Sequence, residues 1–218
     1  MRYMCFAALL VLALVQPTQA SGTIVLDGQF NDWLGKPCIN DPEGDASKKN
    51  GQGDIRSLCY TTNPDDSTMY VMVEKWNAVN TPPAEYAMYV DTNNDGDYTD
   101  VEDRQIKATY TSNANRSEVT VVVYNGSGIL LQTLATNQNW GDYSAAGGTR
   151  CEFGISFSAL GIQPNQAITM MLISDQGGAI DSTSFVQWSP ANALGYGLLV
   201  LLIATAGWSM TRIQRRLA

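Results

Sequence analysis

Asp91, Asn93, Asp95, Gly96 and Glu102 fall at the positions of the calcium-loop pattern D-x-[DN]-x-[DN]-G-x5-E. Calcium takes about six to eight hard oxygen ligands, and alternate positions around a tight turn aim carboxylates at one centre. Gly96 permits that turn. In this reading Asp97 offers its backbone carbonyl, Thr99 a direct or water-mediated contact, and Glu102 two oxygens. The stretch 91–104, DTNNDGDYTDVEDR, carries six acidic side chains that repel one another when no cation sits between them. Its flanks, 86–90 and 105–110, are rich in β-branched and aromatic residues, so the expectation is a calcium-binding turn between strands rather than between helices. The competing reading is a solvated hairpin loop whose Asp, Asn and Gly residues serve turn geometry alone.

A second acidic group lies earlier. Asp41 and Asp45 stand in the turn NDPEGD, 40–45, and Asp54 heads a strand. These three carboxylates could converge on another cation, or the first two could simply cap their own turn. The aromatic residues suggest different chemistry. Trp76, Trp140 and Tyr143 could each lay a ring face against the C–H face of a sugar, with Asn137 in NQNWGDY, 137–143, taking hydroxyls. Core packing is the alternative role for such rings.

Composition removes several function classes. The chain contains no histidine, which excludes a Ser-His-Asp triad and removes the usual zinc ligand. Between residues 21 and 190 there are 21 acidic and nine basic residues, a net of −12, so nucleic acid and anionic lipid are poor partners. Two suitably separated carboxylates suffice for glycoside hydrolysis. Here they sit in turns and metal-like loops, and a non-catalytic domain is expected.

The elements that must position these groups read as strands. Runs at 23–26, 55–61, 69–76, 86–90, 105–111, 118–124, 129–134, 151–157 and 168–174 are each bounded by Gly, Pro, Asn or Asp, giving about nine strands. Several alternate, as in Met69, Val71 and Val73 against Tyr70, Met72 and Glu74, the pattern of a half-buried antiparallel sheet. The expected fold is an all-β antiparallel sandwich over 21–190, with one helical turn at 158–161. Residues 1–20 read as a secretory signal peptide: Arg2, an apolar run at 6–15, and a polar end closing on Ala20. Residues 191–211 read as a single transmembrane helix and 212–218 as a basic cytoplasmic tail carrying Arg212, Arg215 and Arg216. The sandwich is therefore expected outside the cell, held at the membrane by its C-terminal helix. Of four cysteines, Cys5 leaves with the leader. Cys38 with Cys59 is the preferred disulfide, restricting the unfolded chain by about 3 kcal/mol. Buried thiols throughout are the alternative.

The stretches TIVLDGQFNDW, INDPEGD, GDIRSLCYTTNPDDSTMYVMVEKW, EYAMYVDTNNDGD and CEFGISFSALGI follow one another in an order that resembles the bacterial extracellular DOMON-like β-sandwiches related to family nine carbohydrate-binding modules. Asp27, Gly28, Asp32 and Trp33 match the opening motif. Asp41, Gly44 and Asp45 match the following loop, and Glu152, Leu160 and Gly161 a late strand. The resemblance implies a jelly-roll-like sandwich, frequently with structural calcium, and in some members sugar binding on aromatic platforms. Haem-binding relatives use histidine as an axial ligand, and this chain has none. The function expected is a calcium-stabilised, non-catalytic module binding extracellular glycan or another surface partner, with a structural or assembly role beside other envelope proteins as the alternative.

Overall fold

Alternating apolar residues build two antiparallel sheets that face each other across one core. The computed structural model describes residues 22–48, 53–64, 66–76, 84–110, 117–134, 140–141 and 149–190. The first sheet contains β1 (Cys38–Asn40), β2 (Ile55–Thr61), β3 (Thr68–Lys75), β9 (Arg150–Ser156) and β8 (Trp140–Gly141), hydrogen-bonded in that order. The second runs β6 (Ser117–Asn125), β5 (Arg104–Tyr110), β4 (Ala84–Asp91), β10 (Ile168–Gln176) and β11 (Ala179–Ser182), with β7 (Leu130–Thr133) on β6 and β12 (Val186–Trp188) on β10. The start of β6 also pairs with β8, Ser117 opposite Gly141, so the two sheets join along this strand. A helical turn, α1 (Phe157–Leu160), caps β9; the Ser156 hydroxyl accepts from the Ala159 amide, and Gly161 closes it at φ 72°.

Side chains at every second position fill the space between the sheets. From β3 come Met69, Val71 and Val73; from β4, Tyr86, Met88 and Val90; from β10, Ile168, Met170 and Leu172, all buried. Lys75 is buried among them, its ammonium donating to Gln176 Oε1 at 3.2 Å and lying 5.6 Å from the Tyr110 ring centroid. That burial lowers its pKa to about 8.

A second, smaller core lies on the outer face of the first sheet. There the segment before β1 lays Ile24, Phe30 and Trp33 over Cys59 and Met72. Residues 23–26, expected as a strand, are not one. Their backbone is held by side chains: the Asn63 amide accepts from the Ile24 N–H at 2.8 Å and donates to the Ile24 carbonyl at 3.1 Å, while Asp32 accepts from the Val25 N–H at 2.7 Å. Among the described residues twelve strands form, against the nine expected; β1, β8, β11 and β12 are additional, each of four residues or fewer. The expected leader and C-terminal helix lie outside the described residues. Within those residues no helix is long and apolar enough to cross a membrane.

Candidate metal centres

The loop that follows β4 is organised by its own carboxylates. Asp91, at the strand end and almost fully buried, accepts from the Asn94 N–H at 2.6 Å with one oxygen and from the Gly96 N–H at 2.9 Å with the other. Beyond it each side-chain oxygen caps the amide two residues on: Asn93 that of Asp95 at 3.0 Å, Asp95 that of Asp97 at 2.9 Å, and Asp97 that of Thr99 at 2.9 Å. Hydrogen bonds from Thr99 hold the Asp97 carboxyl below the usual range. Asn94 and Gly96 supply the left-handed turns, at φ 59° and 88°. Asp95, Asp97 and Glu102 are exposed. No three of the loop's carboxylates bring an oxygen each within 4.8 Å of one another. Asp103, outside the calcium pattern, is the fully buried acid here, accepting from the Thr92 N–H at 2.9 Å.

Convergence occurs at the other acidic group. Asp41, Asp45 and Asp181 place ligand oxygens within 4.8 Å of one another, alone among the described residues in doing so. Three parts of the fold position them. Asp41 leaves the end of β1 with its N–H bonded to the Arg56 carbonyl at 2.9 Å. Asp45 is the exposed member, on the turn where the Gly44 N–H donates to Asp54 Oδ2 at 2.8 Å. Asp181 comes from β11 of the second sheet and accepts from the Ile55 N–H, at the start of β2, at 2.7 Å. The turn is tied to β11 by the Ser47 N–H on the Ile180 carbonyl and the Ile180 N–H on the Ser47 hydroxyl, both 2.8 Å.

Two oxygens at this place are buried and make no hydrogen bond: Asp41 Oδ2 and Asp54 Oδ1. Burial, followed by the charges of Asp181 and Asp45, raises the Asp41 pKa to about 7. The Asp54 carboxyl is likewise raised, by burial first and by Asp181 and Asp45 in addition, against the Gly44 hydrogen bond. An all-oxygen, all-anionic donor set suits a hard divalent cation such as calcium better than zinc or copper. Orphaned carboxylate oxygens in buried positions are the feature such an ion would satisfy.

Of the three residues expected to converge, Asp41 and Asp45 are in this group and Asp54 is not, its Oδ2 being held by the Gly44 N–H; the third member, Asp181, was missed. Its signal was the alternation in Ala179–Ser182, where Ala179 and Asp181 are buried and their neighbours exposed. Trp76 packs beside the same site: its indole N–H donates to the Asp41 carbonyl at 3.3 Å and the Arg56 guanidinium lies 5.0 Å from its ring centroid. Trp140 contributes backbone pairing in β8, opposite Glu118 and Glu152. Asn137 and Tyr143 lie outside the described residues. A disulfide joins Cys38 and Cys59, which are opposite each other in the β1/β2 register, and Cys151 is a buried core thiol.

Asp27, Gly28 and Trp33, from the stretch TIVLDGQFNDW, meet at Glu152. This carboxylate, buried on the outer face of β9, accepts from the Asp27 and Gly28 amides at 2.9 and 2.7 Å and from the Trp33 indole N–H at 2.8 Å. It fastens the segment before β1 to the sheet. No protein-family model matches the chain, and no curated protein matches it.

Proposed function

We propose that the chain is a non-catalytic, calcium-stabilised binding module with a jelly-roll-like sandwich, displayed outside the cell and held at the membrane by the segment 191–211. The observation that carries this reading is the aspartate cluster, with Asp41 Oδ2 and Asp54 Oδ1 buried and unpartnered beside Asp45 and Asp181. Asp41, Asp45, Asp54 and Asp181 would hold the ion, which would offset their mutual repulsion and the cost of burying them. The clustered acids converge, their ligand oxygens within 4.8 Å of one another, instead of standing apart on either side of a scissile bond, which favours binding over hydrolysis.

The test is thermal unfolding of the full-length chain with excess calcium and with chelator, alongside elemental analysis. A ligand bound only by the folded state raises the melting temperature by mass action. Equal melting temperatures, with no metal retained, sink the calcium reading. One observation favours the assembly role as a second reading. Ile129, just before β7, and Leu130 and Leu131 within it are 62, 56 and 49% exposed, and among the described residues β7 pairs only with β6. Concentration-dependent sedimentation would support that role.

A further inference from the structure

The outer face of the first sheet carries a cleft of about 430 Å³ beside the segment that precedes β1. Phe30, Leu34 and Met72 give it apolar walls. Lys36, Arg56 and Arg150 line it as well, three of the nine basic residues between 21 and 190, against one acid, Glu74. Sheet geometry gathers them. Arg56 is the extra residue at a bulge in β2, and Arg150, at the start of β9, stands opposite Glu74 of β3. Each cation is held in place: Lys36 Nζ donates to the Gly22 carbonyl at 2.6 Å, the Arg150 guanidinium lies 4.5 Å from the Phe30 ring centroid, and Arg56 Nη1 donates to Glu74 Oε1 at 3.2 Å. Arg56 is half-exposed, and that bond leaves further N–H groups of its guanidinium for an anion. Asp32, the acid that acts on Lys36, does not line the cleft; it is turned to the Val25 N–H.

The opposite charge is concentrated towards the other end of the sandwich. Asp95, Asp97 and Glu102 are exposed on the loop after β4, together with the apolar Val101. This loop meets the far end of β9: the Arg104 side chain that closes it donates to the Ala159 carbonyl in α1 and to the Val101 carbonyl, both at 3.2 Å. Arg150 opens β9 and α1 follows its last residue, so the seven residues of the strand, about 20 Å, separate the two charged regions. A loop and a cleft so placed cannot meet within one molecule. We infer that the cleft is the docking site of a second copy of this chain, which enters with its acidic loop 91–104. The inference takes the assembly role above as its starting point and adds the two surfaces and their orientation. A net charge of −12 over residues 21–190 repels copies in general, whereas the approach of loop to cleft brings opposite signs face to face. Val101 brings an apolar side chain to the walls of the cleft. The two surfaces differ, so the contact is heterologous and repeats head to tail from copy to copy.

The experiment is sedimentation velocity of the full-length chain in a non-ionic detergent at low ionic strength, with calcium and with chelator. Two charge reversals divide the contact: Arg56→Glu spoils the cleft and leaves the loop intact, whereas Glu102→Lys spoils the loop and leaves the cleft. Wild type should form a concentration-dependent series of oligomers that about 1 M sodium chloride disperses. Each variant alone should associate about tenfold or more weakly. An equimolar mixture of the two joins one intact loop to one intact cleft and should stop at a dimer. Leu34→Asp, at an 86% exposed position on the rim, replaces Arg56→Glu if that variant melts below wild type. A monomer at every concentration in both buffers overturns the inference and the assembly role together. Oligomers that survive salt and both reversals overturn the inference alone and leave assembly to another surface, such as the edge of β7. Growth of the mixture beyond a dimer overturns the head-to-tail contact. The calcium dependence of melting is read separately and decides the metal reading whichever way sedimentation falls.

Discussion

Glu152 shows how one side chain can fix the path of a segment that has no strand partner. Two carboxylate oxygens take three N–H donors, from Asp27, Gly28 and Trp33. Glutamine is nearly isosteric but presents an NH2 where one of those donors needs an acceptor. Glu152→Gln should therefore destabilise the fold by about 1–3 kcal/mol, read by urea denaturation. Burial raises the folded-state pKa of this group from 4.5 to about 7, outweighing the three donors. The folded state thus holds the proton more tightly than the unfolded chain, and the group's contribution to stability is greatest below 4.5 and falls as pH rises towards about 7. In Glu152→Gln that component of the pH profile should vanish; an unchanged slope would refute the assignment. Asp41 should show a sign reversal instead. With chelator present, Asp41→Asn removes a carboxyl whose ionisation is opposed by burial and by Asp181 and Asp45, and the melting temperature should rise. With calcium present the same change removes a ligand, and it should fall. The sequence made Asp41, Asp45 and Asp54 legible because a turn rich in Asp and Gly brings them close locally. Asp181 was hidden because only sheet pairing brings it there. At the Asp91 loop the reverse holds: the spacing matches a calcium pattern, yet oxygens of Asp91, Asn93, Asp95 and Asp97 are directed to the loop's own amides, while the buried oxygen without a hydrogen bond, Asp103 Oδ2, belongs to a residue outside that pattern.

Among the described elements, the long strands were readable, and of those of four residues or fewer β7 alone was. β2, β3, β5 and β10 each run seven residues or more, enough for a period of two to repeat. β1, β8, β11 and β12 hold between two and four residues, too few for a period of two to repeat. The opposite error arose at 23–26, whose β-branched residues invite a strand. There the Asn63 amide takes the place of a neighbouring backbone, bonding both the N–H and the carbonyl of Ile24. Asn63→Ala would leave both groups without that partner in a buried position, at a cost of about 1–3 kcal/mol. Amide exchange at Ile24 should accelerate well before that of the core strands; uniform protection would count against the clasp. β8 is pinned by close approach. A Cβ built on Gly141 would collide with the Tyr110 ring, and that ring is fully buried. Gly141→Ala should overpack the junction of the sheets and cost about 1–3 kcal/mol or more, measured as a lowered urea midpoint.

The aspartate cluster matters to the molecule as a whole because it spans both sheets. Asp41 and Asp54 flank β1 and β2 of the first sheet, and Asp181 is carried by β11 of the second. An unfolded chain cannot hold residues so distant in sequence around one ion, so binding there is confined to the folded state and enters stability directly. Above the dissociation constant, each tenfold rise in free calcium should then add about 1.4 kcal/mol to the unfolding free energy for every ion bound. The slope counts ions. A single site at the cluster gives one such increment per decade, and participation of the Asp91 loop gives two. Asp181→Asn should remove one increment and leave any contribution of the Asp91 loop intact, whereas Asp95→Asn should act only on the latter. Sodium chloride supplies the control: it screens repulsion among the acids and stabilises the chain in chelator, but it should not reproduce the calcium slope. A curve that is flat in calcium, or one that Asp181→Asn leaves unaltered, would mean that the two sheets are held by their packed core and backbone pairing alone.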